Sequence, residues 1–220
     1  MTRKSLKKKR TSNYVNTRLI IFLKNPVAGK VKTRLAKGIG HDRALQAYKL
    51  LTAYTLAQAK ASTLSTIIYW SDHIVEECTT DQSVQVTGDL GERMLIALKT
   101  ELAMHDSAIL IGSDCPGMSS DLLVTAASCL DSHDAVIGPA DDGGYYLIGM
   151  KAAHKELFTE LTYSTDHLLQ DTLSRAKDAH LQVAILETIS DVDYLEDLQS
   201  FLTSARADHP LRAPLSSLLD

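Results

Sequence analysis

Ile109-Leu110-Ile111-Gly112-Ser113-Asp114-Cys115-Pro116 is the stretch that decides the fold. A short apolar run of strand-like composition ends at Gly112, a single carboxylate follows at Asp114, and Pro116 turns the chain away. In an open α/β sheet, ligands collect at the carboxyl ends of the strands. An acid delivered there by a buried strand is therefore well placed to serve a metal or phosphate site.

Segments of strand and helix character alternate along the rest of the chain. Short β-branched or aliphatic runs, such as residues 18–23 and 63–70, are followed by amphipathic stretches or loops. This alternation predicts the α/β class, with a mostly parallel sheet and helices on both faces. Residues 145–150 form a further strand that breaks the alternation, so we expect a mixed sheet with an antiparallel strand at an edge or insertion. We expect residues 24–40 to form a loop.

The 220 residues suit one domain, with no internal repeat and no linker. Residues 1–10 hold six cations and no acid, and without them the net charge of -4 becomes about -10. We therefore expect a basic disordered arm over residues 1–16, a single domain over 17–203 and an irregular tail over 204–220. The arm could contact nucleic acid or an anionic surface, but a solubilising tail is favoured, and we expect no nucleic-acid partner.

No apolar run approaches the roughly 18 residues that a membrane span needs. The three cysteines are odd in number and lack a metal-binding spacing, which argues against a disulfide framework or a zinc site. These features predict a cytoplasmic protein without a membrane span. A homodimer is compatible with the sequence.

A cationic loop follows the first strand, over residues 24–35. Its four cations surround Gly29, which lets backbone amides approach a ligand; they are Lys24, Lys30, Lys32 and Arg34. Dispersed positive charge, arginine geometry and free amides are what a polyphosphate needs. The loop is not a Walker A motif, because Val31 follows Lys30 where that motif has Ser or Thr. Phosphate binding is favoured over the alternative, a solvated surface loop.

Two further segments combine glycines with acids. In residues 88–93, Gly88 could let the backbone approach a base or ribose while Arg93 reaches inward, or the segment is simply a helix start. In residues 138–146, two acids precede Gly143 and Gly144, which is typical of a tight hairpin turn. The functional alternative is that an acceptor approaches these glycines, with Asp142 contacting its hydroxyls or acting as the base.

A last acidic segment, Asp191-Val192-Asp193, opens the final predicted helix. Asp193 is a plausible helix cap. A second carboxylate at the strand ends could instead complete a metal site with Asp114, since Mg²⁺ needs only one or two protein carboxylates beside phosphate oxygens. Cys115 is expected to be a small buried residue.

Taken in order, these segments resemble the bacterial DUF2064 family of GT-A-type glycosyltransferases. The resemblance rests on K-x-P-x-x-G-x-x-K-T-R-L (24–35), G-D-L-G-E-R-M (88–94), I-G-S-D-C-P (111–116), G-P-A-x-D-G-G-Y-Y-L-I-G (138–149), S-T (164–165) and D-V-D…E-D-L (191–198). The family is similar in fold to nucleotide-diphospho-sugar transferases and to phospholactate guanylyltransferase. It therefore implies a single-domain GT-A-like three-layer sandwich with a mixed, mostly parallel sheet.

The resemblance also implies roles for particular residues. Gly29, Lys30, Lys32 and Arg34 would hold the nucleotide phosphates. The residues of the two loops themselves add Lys24, Pro26, Gly88 and Arg93 to the predicted nucleotide site. Asp114 would be the metal-binding residue at the end of the central strand, and Asp193 the second metal-side carboxylate. Apart from the resemblance, we predict Asp114 and Asp142 as the catalytic residues, with Asp142 as the base. Gly143, Gly144 and Tyr145 would line the acceptor side. Many GT-A enzymes have D-x-D where this chain has Ser113-Asp114-Cys115, a single acid.

The sequence thus predicts a Mg²⁺- or Mn²⁺-dependent glycosyltransferase that uses a nucleotide-diphospho-sugar and a small acceptor. Because only one acid stands at the strand end, two alternatives remain open. One is a nucleotidyltransferase that joins an NTP to a small phosphorylated acceptor and releases pyrophosphate. The other is a nucleotide-binding regulator without turnover.

Overall fold

The computed structural model describes residues 16–76 and 78–220. The predicted basic arm therefore lies outside the described residues, apart from its last residue. The strands within the described ranges are β1 Thr17–Leu23, β2 Ser65–Trp70, β3 Asp81–Val84, β4 Ser107–Ile111, β5 Ala135–Pro139, β6 Tyr145–Met150 and β7 Val183–Ile185. The helices are α1 Thr33–Ile39, α2 His41–Ser62, α3 Leu90–Leu102, α4 Ser120–Cys129, α5 Leu168–Asp178, α6 Leu195–Ser204 and α7 Arg212–Ser216, with a short 3₁₀ turn at Lys155–Leu157.

The strands form one sheet in the order β3-β2-β1-β4-β6-β5-β7. All neighbours run parallel except β6, which is antiparallel to both β4 and β5. The predicted α/β class and the mixed, mostly parallel sheet are confirmed. Of the two places expected for the antiparallel strand, an edge or an insertion, the edge was wrong. Strand β6 lies between β4 and β5, because it forms a hairpin with β5 and also pairs with β4, which is distant in sequence.

Helices cover both faces of the sheet, which makes three layers. The buried side chains of α2 and α4 pack on one face, and those of α3 and α5 on the other. In α3 the buried residues Met94, Ala97, Leu98 and Glu101 recur at helical spacing. An Asp89–Glu92 capping box fixes the start of this helix.

A third apolar cluster joins α1, α2, α6 and α7. Helix α1 lies within residues 24–40, which were expected to form a loop. Its Gly38 is explained by close packing against α6, because a β-carbon at Gly38 would lie 2.9 Å from Leu195 Cβ. The tail expected to be irregular contains α7, whose Leu215 is buried beside Leu211 and Leu218. Three leucines at this spacing give the short helix an apolar face.

Candidate functional site

A cleft of about 1360 Å³ opens at the carboxyl ends of β1 and β4. The register of the two strands sets Ile21 opposite Ile111, so both strands end at this edge. The polar residues of its walls include Lys24, Lys32, Arg34, Tyr48, Arg93, Asp114, Asp142, Asp191, Asp193 and Tyr194. The cleft therefore occupies the position at which open α/β sheets bind ligands.

Lys32 is the centre of the cleft's charged cluster. Its ammonium lies 2.6 Å from Asp114 Oδ1 and 3.0 Å from Asp193 Oδ1, and its side chain is 3% exposed. The residue precedes α1 in a left-handed backbone conformation, with φ 46°. Such a conformation is unfavourable for a residue with a β-carbon, and surrounding contacts must hold it. The two ion pairs and the buried neighbour Val31 supply such contacts.

Arg34 adds a second cation from the first turn of α1. Its guanidinium bonds to Asp193 Oδ2 at 3.0 Å and lies 5.5 Å from the centre of the Tyr194 ring. Asp193 is not the helix cap, because the Asp197 carboxylate accepts the amides of Asp193 and Tyr194 at 2.9 and 2.7 Å. The Asp193 carboxylate is thus left to face the two cations.

The same segment is tied to the end of β4. The amide of Val192 donates to the carbonyl of Asp114 at 2.9 Å. This bond places Asp191 and Asp193, which flank Val192, beside the acid that follows β4. Two segments almost eighty residues apart thereby form one acidic wall.

The charges in this wall shift each other's protonation. Burial alone would lower the pKa of Lys32, but Asp114 and Asp193 more than offset it and raise the pKa to about 12. Burial also disfavours the charged form of Asp193, yet Lys32 and then Arg34 hold its pKa below the usual range. For Asp191, burial and then the nearby Asp193 and Asp142 raise the pKa to about 6.

A divalent metal fits the chemistry of this wall. Asp114 and Asp193 already face one common cationic atom, the Lys32 ammonium, and Asp142 and Asp191 lie close enough to affect the local charge. These four aspartates outnumber the two nearby cations, Lys32 and Arg34, so the wall carries an excess of negative charge. Within residues 16–76 and 78–220, no group of three or more acid, histidine or cysteine side chains could hold a metal alone. A metal would therefore take its remaining ligands from substrate or water, as Mg²⁺ commonly does.

The Gly143-Gly144 turn joins β5 to β6 beside the cleft. Gly143 has φ 85°, and a β-carbon there would lie 2.2 Å from the carbonyl oxygen of Asp166. The amide of Leu169 donates to the Gly143 carbonyl at 2.9 Å, and Asp142 Oδ1 accepts the amide of Gly144 at 2.8 Å. The segment is thus the tight hairpin turn that the sequence predicts, and it holds the exposed Asp142 at the cleft.

The cleft brings together many, but not all, of the predicted site residues. Those on its walls are Lys24, Lys32, Arg34, Arg93, Asp114, Asp142, Gly144, Tyr145 and Asp193. Arg93 is held by bonds to the Asp89 carbonyl and to Gln85 Oε1, at 3.3 and 3.1 Å. The remaining residues, Pro26, Gly29, Lys30, Gly88 and Gly143, lie outside these walls. Their roles stay predictions.

Three cleft residues were missed as site residues. Asp191 was visible in the D-V-D motif, but its raised pKa depends on neighbours that only the fold assembles. Tyr48 comes from α2, and its hydroxyl bonds the amide and the carbonyl of Lys24 at 2.9 and 2.7 Å. Tyr194 lies beneath Arg34. For Tyr48 and Tyr194 no sequence signal identifies the contact.

Solved structures that are similar to this chain include proteins named as transferases. A proposed nucleotide-diphospho-sugar transferase from Desulfovibrio desulfuricans G20 is 28% identical, with TM-score 0.86 over 93% of this chain and 94% of that chain. A cytidylyltransferase from Leptospira borgpetersenii is 15% identical, with TM-score 0.55 over 93% and 94% of the two chains. Rv0371c from Mycobacterium tuberculosis H37Rv, solved in complex with manganese, is 15% identical, with TM-score 0.53 over 86% and 98%. No curated protein matches the chain.

The fold and the similarity to the Desulfovibrio protein define the class of the chain as that of a transferase. The chain belongs to the DUF2064 family, described as uncharacterized protein conserved in bacteria, whose model matches residues 45–165. The matched range includes Asp114 and the Gly143-Gly144 turn, and it excludes Lys32 and Asp193. Among the described residues, no helix has the length and apolar character required to cross a bilayer.

Proposed function

We propose that this transferase moves a sugar from a nucleotide-diphospho-sugar to a small acceptor, with Mg²⁺ or Mn²⁺ bound at Asp114 and Asp193. The observation that carries the proposal is the cluster at the strand ends, where Lys32 joins two carboxylates within the cleft. Paired acids beside clustered cations suit a metal-bound diphosphate better than a neutral ligand. The similarity to the Desulfovibrio protein supports a nucleotide-diphospho-sugar as the donor.

In this proposal, the cations of the cleft bind the donor's diphosphate. Lys32 and Arg34 are already oriented towards the acidic wall, while Lys24 and Arg93 line other parts of the cleft. A bound metal supplies Lewis-acid stabilisation of the negative charge that develops on the departing diphosphate. Lys32 and Arg34 contribute to the same stabilisation through positive charge held in place before the reaction.

The acceptor side is assigned to the Asp142–Tyr145 turn. An acceptor hydroxyl attacks the anomeric carbon, the bond from that carbon to the diphosphate oxygen breaks, and the hydroxyl proton passes to Asp142. Because Gly144 binds one oxygen of Asp142, the other oxygen is available to accept this proton. Gly144 and Tyr145 line the cleft beside it.

Nucleotidyl transfer is the second candidate, favoured by the single acid at Asp114 and by the cytidylyltransferase neighbour. Here a phosphate oxygen of the acceptor attacks the α-phosphorus of an NTP, and pyrophosphate leaves. A phosphorylated acceptor already carries a nucleophilic oxygen, so this reaction needs no base at Asp142.

Product analysis separates the candidates. The protein is incubated with Mn²⁺ and either an NDP-sugar or an NTP, first with water as the acceptor and then with small alcohols, sugars and sugar phosphates. Release of NDP that depends on Mn²⁺ and falls in Asp142→Asn supports glycosyl transfer. Pyrophosphate release that depends on a phosphorylated acceptor would instead establish nucleotidyl transfer, and binding without any release would favour a regulator.

We also propose a cytoplasmic location, on the basis of the cysteines. Cys78, Cys115 and Cys129 are all free thiols, and Cys115 is buried, as predicted. Free thiols persist in a reducing compartment. A homodimer stays a proposal, which the mass of the purified protein in solution would test.

A further inference from the structure

We propose that Lys32 couples metal binding to nucleotide binding by exchanging its partners: its ammonium occupies the Asp114–Asp193 pair until a divalent cation binds there, and then turns to the donor's phosphates. This inference rests on the proposed function for the identity of the donor. The competition between Lys32 and a metal for the two carboxylates does not depend on the donor and can be tested without it.

The geometry shows why the two cations compete. The Lys32 ammonium is within ion-pair distance of both carboxylates that face the proposed metal site, at 2.6 and 3.0 Å. A metal bound by the same oxygens would set two positive centres side by side, which is strongly unfavourable at such distances. Lys32 must therefore leave at least one carboxylate when a metal binds.

The side chain has somewhere to go. Lys32 lines the open cleft together with Arg34 and Lys24, so an ammonium released from the acids stays beside the proposed diphosphate position. Arg34 keeps its contact with Asp193 Oδ2, the oxygen that Lys32 does not touch. The exchange thus needs a change in one side chain rather than a movement of the domain.

A consequence for binding follows. Without metal, Lys32 is held by the acids and is only weakly available to a phosphate. With metal, the ammonium is free, so each ligand strengthens the binding of the other by the same factor. Lys32 therefore prevents tight nucleotide binding in the absence of the metal.

The test measures Mn²⁺ binding without nucleotide, by electron paramagnetic resonance of free Mn²⁺. Lys32→Met removes the competing charge and keeps the length of the side chain, so it is expected to bind Mn²⁺ about tenfold more tightly than the wild type. Lys37→Met makes the same charge change at an exposed position of α1 and is expected to leave the affinity unchanged. Equal or weaker Mn²⁺ binding by Lys32→Met would overturn the proposal.

A second measurement uses the wild-type protein, in case Lys32→Met fails to fold. Reductive methylation followed by peptide mass spectrometry compares Lys32 with the exposed Lys37. Lys32 is expected to react slowly without metal and at least several-fold faster with Mn²⁺ alone, while Lys37 does not change. If Mn²⁺ binds and Lys32 stays protected, the exchange is wrong. These two tests use no nucleotide, so their results do not depend on the proposed function, which is tested by nucleotide binding and product release.

Discussion

The ammonium of Lys32 lies 2.6 Å from Oδ1 of Asp114, although the two residues stand after different strands, β1 and β4. The parallel pairing of these strands, with Leu19 opposite Ile109, brings both strand ends to one edge. The short loop after β1 and the turn after β4 then place the two side chains in contact. The charged cluster is therefore a direct product of sheet topology.

Gly143→Ala tests the hairpin turn, with Gly40→Ala as its matched control. Both glycines have φ near 85°, but a β-carbon at Gly40 meets no atom within 4 Å, whereas one at Gly143 meets the Asp166 backbone. We expect Gly40→Ala to lower the free energy of unfolding by about 1–3 kcal/mol, because φ 84° with ψ 159° is a backbone conformation that residues with a β-carbon rarely adopt. Gly143→Ala should cost about 1–3 kcal/mol more than Gly40→Ala, because the clash with the Asp166 backbone adds to the cost of the positive φ. Urea unfolding measures both values. If the two variants lose the same free energy of unfolding, the Asp166 backbone does not restrict the turn.

Asp191→Asn tests the repulsion within the acidic wall. Folding raises the pKa of Asp191 from 3.8 to about 6, so the folded state penalises its charged form and loses stability as the pH rises between these values. We expect the variant to be more stable than the wild type at pH 8 by about 1 kcal/mol, after allowing for solvent screening. The difference should shrink as the pH falls through 6 towards 4. Thermal unfolding in EDTA measures it, and a gap that does not depend on pH would contradict the account.

Glu101→Gln tests a buried network between α3 and strands β1 and β2, outside the cleft. Glu101 accepts bonds from Arg18 Nε at 3.1 Å and from the Tyr69 hydroxyl at 2.8 Å. The variant leaves the buried Arg18 charge poorly paired and should cost about 3 kcal/mol of stability. Asp81→Asn removes an exposed partner of the same arginine and should cost at most about 1 kcal/mol. Neither should change nucleotide affinity, and a loss of affinity in either folded variant would link this network to the cleft.

Much of the architecture could be predicted from local patterns. Strand β6 has the predicted bounds, and Ser119 caps α4 through a 3.1 Å bond from the amide of Leu122. Helix α1 was missed because Gly38 and the lysines are typical of loops, and only the contact with Leu195 explains the glycine. The central position of β6 depends on its pairing with β4, which is distant in sequence, and local periodicity does not encode such a pairing.

The sequence predicts which residues of the site lie near one another, but not which hydrogen bonds and ion pairs they form. The position of Lys32 and Asp114 after parallel strands predicts that they lie close together. The sequence does not show that one ammonium bridges two carboxylates, or that Val192 ties Asp193 to the end of β4. Those facts depend on backbone conformation and on bonds between elements distant in sequence.

Asp114→Asn tests the central claim, that the Lys32–Asp114–Asp193 cluster is a metal-assisted diphosphate site. The amide keeps the shape of the side chain and removes the charge that a divalent cation needs. Asp131→Asn, at an exposed position outside the cleft, is the matched control. Unfolding of both variants in urea establishes that they are folded.

The most direct measurement is the affinity of wild type and Asp114→Asn for UDP, GDP, CDP and ADP, by calorimetry with Mn²⁺ and with EDTA. The account predicts that Mn²⁺ strengthens binding of at least one diphosphate to the wild type and to Asp131→Asn, by about 10–100-fold. Asp114→Asn should bind equally weakly in both conditions. A Mn²⁺-dependent gain that Asp114→Asn retains in full would contradict the account.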